Sequence, residues 1–273
     1  MNIVTSMLPL AIVLPWLLLV PGYLTQLGFA VRFPLNERRR WLETILVSVL
    51  FSLCLTGWLA LVLVEVGEFT LRRVLLFVLV YCLMVGLSFK SQGRRRIRKA
   101  WHSLWAPGDR WTWLLMGVML VAALLYFRPH EYILGGSDAG VYVNLGGHIT
   151  RSGALVFQDP ELATLDPEVY PALFRRQPSY FIPRYIQFPG FYLSDALDGR
   201  VIPQFYPLAP VWQALFYSSA ERDVRASLYA TPLWGTLACL TVGMAATRML
   251  GRRGCWRSAR LRSGLHAIRL RKP

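Results

Sequence analysis

Long uninterrupted apolar runs, at residues 3–22, 41–64, 74–89, 111–127 and 226–247, leave this chain few ways to fold. A helix needs about 20 apolar residues to cross the ~30 Å hydrocarbon layer, because lipid offers no partner for a bare N–H or C=O. With 55% hydrophobic residues gathered in such runs, a soluble chain of 273 residues has no single core large enough to hide them, so the bilayer is the solvent. The sequence therefore predicts an all-α fold, a polytopic transmembrane helical bundle. It has five spans, or six if the weakly apolar stretch 206–219 also crosses. The first run has no positive residues ahead of it and contains Pro9 and Pro15, with Pro21 near its end. It reads as a retained span and not as a cleaved signal.

The formal charge of +15 would suggest nucleic acid in a soluble protein, but here the basic residues flank apolar runs, where they act as topology signals. Nucleic acid is accordingly not an expected partner; the lipid bilayer is. Arg32, Arg38, Arg39 and Arg40 follow the first run, and Lys90, Arg94, Arg95, Arg96, Arg98 and Lys99 follow the third, whereas Glu65 and Glu68 follow the second. Basic segments face the cytoplasm, which puts the N-terminus and everything after Phe127 on the outer side of the plasma (inner) membrane. Arg72 and Arg73 break the pattern at the outer end of the third run. Trp101, Trp105, Trp111 and Trp113 crowd the entry to the fourth, as interfacial anchors do. Cys54, Cys82 and Cys239 lie in apolar runs and Cys255 in a basic tail, with no spacing that suggests zinc or a disulfide.

Residues 128–205 contain no run long enough to span and mix Asp, Glu, Arg, His, Pro and Tyr. The expectation is a long extracytoplasmic loop carrying short interfacial helices, and it is where function should be sought. Its densest stretch is Gly135-Gly136-Ser137-Asp138-Ala139-Gly140-Val141-Tyr142, continuing to His148. Paired glycines permit a sharp turn, Ser137 or Asp138 suits a helix N-cap, and Val141, Leu145 and Ile149 share one face of the helix that follows. Two readings of Asp138 stand at this point. It caps the helix, or it is a carboxylate at the rim of a membrane site, able to take a proton from an acceptor hydroxyl. His148 is either a surface histidine or a substrate contact.

Familiar hydrolase motifs fail on inspection. His130-Glu131 is followed by Leu134 where a zinc protease needs a second His. Ala139 replaces the glycine that a nucleophile elbow requires after Ser137-Asp138, and no Gly-Lys-Ser/Thr ending marks a phosphate loop. No His or carboxylate cluster calls for a metal ion, and no cofactor is expected.

A basic cytoplasmic segment, one apolar span, and then Gly-Gly-Ser-Asp138-Ala-Gly-Val-Tyr142 with a following Gly153 resemble the first core helix and first external loop of C-type-fold membrane glycosyltransferases, of the protein mannosyltransferase and aminoarabinose transferase kind. Phe205-Tyr206-Pro207-Leu208-Ala209-Pro210 is similar to the Pro-Pro-Leu-type motif opening their second core helix, and residues 226–251 are similar to the third. The likeness covers about residues 100–251. It implies an enzyme that transfers a sugar from a polyprenyl-phosphate-linked donor to an extracytoplasmic acceptor, with Asp138 as general base. Family members often carry two adjacent acids; Ala139 stands here in place of the second. Tyr142, His148, Arg184, Arg200 and Tyr206 are the candidate substrate-binding residues, the two arginines as phosphate partners on charge alone.

The resemblance divides the chain into a three-span N-terminal membrane region (1–100), a partial transferase-like core (101–251) and a basic tail (252–273). The family continues with further helices. From Arg248 onward the sequence holds nine Arg or Lys and no acid. That pattern resembles a frameshifted or truncated end, with a genuine cytoplasmic tail as the alternative. A span at about 206–220 would put this tail outside, whereas its charge favours the cytoplasm. The rival reading of the whole is a non-catalytic membrane scaffold or partner-binding protein. Apolar runs nearly free of ionisable residues argue against a transporter.

Overall fold

The computed structural model describes residues 3–28, 40–88, 110–128, 138–166, 168–169, 172, 175–176, 186–188, 190–195, 198–221 and 223–269. The described chain is mostly helical: α1 (Ile3–Gly28), α2 (Arg40–Glu65), α3 (Leu71–Leu87), α4 (Arg110–Tyr126), α5 (Asp138–Ser152), α6 (Pro160–Thr164), α7 (Leu208–Ser219), α8 (Val224–Ser227) and α9 (Ala230–Arg269). Among the described residues, three stretches are long and apolar enough to cross a membrane, Pro9–Gly28, Trp41–Glu65 and Val224–Met249, with Thr112–Tyr126 a shorter apolar helix. Leu76, Leu83, Met84, Leu114, Leu120 and Leu125 stand exposed along α3 and α4. Water would penalise such apolar faces and lipid does not, which is what a membrane protein requires.

The closest packing is between α1 and α2, and it follows from the prolines. Pro21 has no N–H to offer the Leu17 carbonyl one turn back. The Thr56 hydroxyl of α2 donates to that carbonyl instead, at 3.3 Å. The neighbouring N–H of Gly22 donates to Ser52 Oγ at 2.8 Å. Gly22 has to be a glycine, because a Cβ there would overlap the Ser48 carbonyl. Gln26 reaches from α1 to Ser48 Oγ at 2.7 Å. Ser48, Ser52 and Thr56, four residues apart, thus form a buried polar stripe whose partners are all in the adjacent helix or its own turn. α3 joins through the Thr25 and Tyr81 hydroxyls, 2.8 Å apart.

At one end of the bundle, Arg248 of α9 grips the buried Glu43 of α2 with two hydrogen bonds, Nε to Oε1 at 3.0 Å and Nη2 to Oε2 at 2.8 Å. Leu42, Leu46, Leu115, Leu240 and Met244 pack beside it, so the starts of α2 and α4 and the end of the apolar part of α9 lie together. At the opposite end, α2 closes with Gly67 at φ +75, and the Gly67 and Glu68 N–H groups return to Val64 and Leu63. There Phe69 N–H donates to the Gly153 carbonyl at 3.0 Å, tying the end of α5 to the α2–α3 turn.

The segment between α5 and α7 departs from an all-α reading. It holds a five-stranded antiparallel sheet, β1 (Phe157–Gln158), β2 (Arg175–Arg176), β3 (Ile186–Phe188), β4 (Phe191–Asp195) and β5 (Arg200–Pro203), in the order β1-β5-β4-β3-β2. Strands of two to five residues carry too little alternation to be read from sequence, and β1 pairs with β5 some forty residues on. Phe191, Leu193 and Val201 turn inward to the same core as α5 and α7.

Candidate functional site

α5 begins at Asp138, and Val141, Leu145 and Ile149 are buried along one face, as their spacing predicts. The helix is held from both sides. Against α7, a Cβ on Gly146 would sit 3.0 Å from Gln213 Cβ and 3.1 Å from the Pro210 carbonyl, so the two helices approach closely because Gly146 has no side chain. The Thr150 hydroxyl donates to the Gly146 carbonyl at 3.0 Å and reaches the Ala214 carbonyl at 3.3 Å. On the sheet side, Gly190 takes φ +83 in the β3–β4 turn, and any side chain there would overlap Val141.

Where α5 starts, it meets α7, the first turn of α9 and the second residue after α4, and a cavity of about 490 Å³ opens between them. Ala139, Tyr142, Gln213, Thr231, Trp234 and Arg128 are among its lining residues. The lining is otherwise apolar, which makes its few polar groups the ones that orient a ligand. Gln213 is 7% exposed, and its Oε1 has no hydrogen-bond partner among the described residues. A buried amide oxygen without a partner costs about 1–3 kcal/mol, so it is a place where a ligand donor is welcome. Trp234 is set by an edge-on contact with Trp212, ring centroids 5.2 Å apart. Arg128 follows Phe127, whose ring lies 6.2 Å from that of Tyr229 and fixes the end of α4 beside the start of α9.

Of the residues singled out from sequence, the structure sets Tyr142 in the cavity wall and Asp138 one position before a wall residue. Asp138 is exposed at the first position of α5, and its chain neighbour Ala139 lines the cavity. Tyr142 is part of the wall and packs edge-on against Phe205 at 5.4 Å. The others lie elsewhere. Tyr206 is 91% exposed ahead of α7 and is not among the lining residues. Arg200 belongs to strand β5, and Arg184 lies outside the described residues. His148 stacks on Phe157, ring centroids 4.0 Å apart at 12°, and meets Phe191 edge-on at 6.3 Å. Burial among these rings lowers its pKa below 6.5, Arg151 lowers it further and Asp159 opposes. A half-buried histidine clamped between α5 and the sheet is a packing residue, distant in role from the cavity wall.

Arg128, Gln213 and Trp234 are among the wall residues that went unremarked in the sequence. Gln213 had a signal, as the lone polar side chain inside the apolar stretch of α7. Arg128 had a weaker one, as the first charge after the fourth run.

Fold and cavity together define a membrane protein of mostly helical structure with a mainly apolar pocket at the rim of its bundle. No protein family, curated protein or solved structure matches the chain.

Proposed function

We propose that this chain carries the site of a multi-pass membrane glycosyltransferase that moves a sugar from a polyprenyl-phosphate donor to an extracytoplasmic acceptor. The observation that carries the reading is the juxtaposition at one cavity of the first turns of α5, through Ala139 and Tyr142, and the cation Arg128, with Asp138 opening that helix. In this reading the Asp138 carboxylate takes the proton of an acceptor hydroxyl while that oxygen attacks the anomeric carbon. The bond from that carbon to the phosphate oxygen breaks, and the departing phosphate charge is met by Arg128, in the place first given to Arg184 and Arg200. Tyr142 and Trp234 offer flat apolar surfaces with polar tips, and Gln213 an acceptor for a sugar hydroxyl.

Five crossings fit this arrangement. α3 has 17 residues and α7 only 12, about 26 Å and about 18 Å of helix, so α3 nearly spans the hydrocarbon layer and α7 does not. We take α1, α2, α3, α4 and α9 as spans and α7 as a helix packed among them near the outer surface. The Glu43–Arg248 grip supports a tail on the same side as the basic segments 29–40 and 89–110, which by charge we assign to the cytoplasm of the inner membrane.

The test uses membranes containing the protein and a radiolabelled polyprenyl-phosphate sugar. Asp138→Asn is expected to lower label transfer by about 100-fold or more, the usual scale for losing a general base, with the amount of inserted protein unchanged. Transfer at the unsubstituted rate would remove Asp138 from the mechanism. Consumption of no donor by the unsubstituted protein would favour the scaffold reading.

A further inference from the structure

A second concavity lies away from this cavity, on the lipid-facing side between α1 and α3. It encloses about 600 Å³, with Ile12 and Trp16 of α1 on one wall and Leu75, Leu76 and Leu79 of α3 on the other. Among the described residues, the only charged one lining it is Arg72. On α3 the spacing 72, 75, 76, 79 is one helical stripe, so the guanidinium caps a column of leucines.

Arg72 and its neighbour differ in a way that bears on what fills the groove. Arg73 is ion-paired with Glu68. No acidic side chain is paired with Arg72 among the described residues, although it is the residue that faces the apolar column. It sits in the first turn of a 17-residue helix, about 26 Å long, against a hydrocarbon layer of about 30 Å. With α3 taken as a span, as proposed above, the guanidinium lies at headgroup depth and the leucines at acyl-chain depth.

We propose that this groove is a binding site for an anionic phospholipid, whose phosphate pairs with Arg72 and one of whose acyl chains lies along Leu75, Leu76, Leu79, Ile12 and Trp16. A guanidinium matches a phosphate with two parallel hydrogen bonds, and net negative charge selects an anionic headgroup over a zwitterionic one. The site also accounts for Arg72, one of the two basic residues on α3 that break the charge pattern of the other segments. It does not rest on the transferase reading.

Native mass spectrometry of the whole chain, released from detergent micelles supplemented with phosphatidylglycerol, reads this directly. The unsubstituted protein is expected to retain one phosphatidylglycerol that Arg72→Gln lacks, that bound state falling about fivefold, the scale of one basic side chain at a membrane surface. Arg73→Gln should keep it, Arg72→Lys, which keeps the charge but not the paired hydrogen bonds, should fall between the unsubstituted protein and Arg72→Gln, and Leu76→Trp, which fills the column, should lose it. With phosphatidylcholine as the probe, Arg72→Gln should match the unsubstituted protein. Identical phosphatidylglycerol distributions for the unsubstituted protein and Arg72→Gln would overturn the site. An equal loss of phosphatidylcholine would overturn the anionic preference.

Discussion

Between Phe157 and Phe191, His148 has exchanged water for two aromatic rings, and its charge state follows from that. Its pKa lies below 6.5 in the folded protein, so the unfolded chain binds the proton more readily and stability rises with pH. The contribution is complete above 6.5 and is lost as pH falls from there toward the folded value. Thermal unfolding in detergent should therefore show a lower midpoint at about pH 5.5 than at about pH 7.5, and His148→Phe, which keeps the stacking, should reduce that difference. An unchanged pH dependence in the variant would place the titrating group elsewhere. The same residue shows where sequence reading stops. His148 and Tyr142 are six residues apart on one helix, and only the sheet that packs on α5 separates a clamped histidine from a cavity wall.

At the scale of elements, the α1–α2 pair is held by side chains that complete a broken backbone. Thr56 serves the Leu17 carbonyl that Pro21 leaves open, and Ser52 binds the Gly22 N–H. Thr56→Val keeps shape and removes the donor, so it is expected to cost about 1–3 kcal/mol in detergent unfolding. No loss at all would mean that the carbonyl finds another partner. The prolines were visible in the sequence, and so were Ser48, Ser52 and Thr56. Their pairing was not, because the register between two helices is set by the fit of Gly22 against the Ser48 backbone. The sheet lies further from reach, since Gln158 pairs with Arg200 across some forty residues of chain.

For the whole molecule the central question is which ends face which side. The Glu43–Arg248 grip joins the start of α2 to the end of the apolar part of α9, and Phe69–Gly153 marks the other end. A phosphatase reporter active only outside the cytoplasm should therefore be silent when fused after Pro273 and active when inserted at Asp198–Gly199. The reverse pattern would invert the bundle, and activity at both points would restore α7 as a sixth span. Charge alone favoured a cytoplasmic tail and the family resemblance favoured an external one. Twelve residues of α7, too short to cross, favour the first.

By itself the sequence determined that this is a helical membrane protein. The reason is local: runs of apolar residues, Arg and Lys between them, and a glycine-flanked Asp138 opening a helix whose buried face repeats at 141, 145 and 149 are all set by neighbours along the chain. Tertiary structure alone decided which groups share a cavity. Arg128, Tyr142, Gln213 and Trp234 come from four separate elements, and they meet because Gly146 lets α5 settle onto α7 while Phe127 and Tyr229 draw α4 to the start of α9. Those are contacts across the bundle, and no stretch of sequence contains both partners of any one of them.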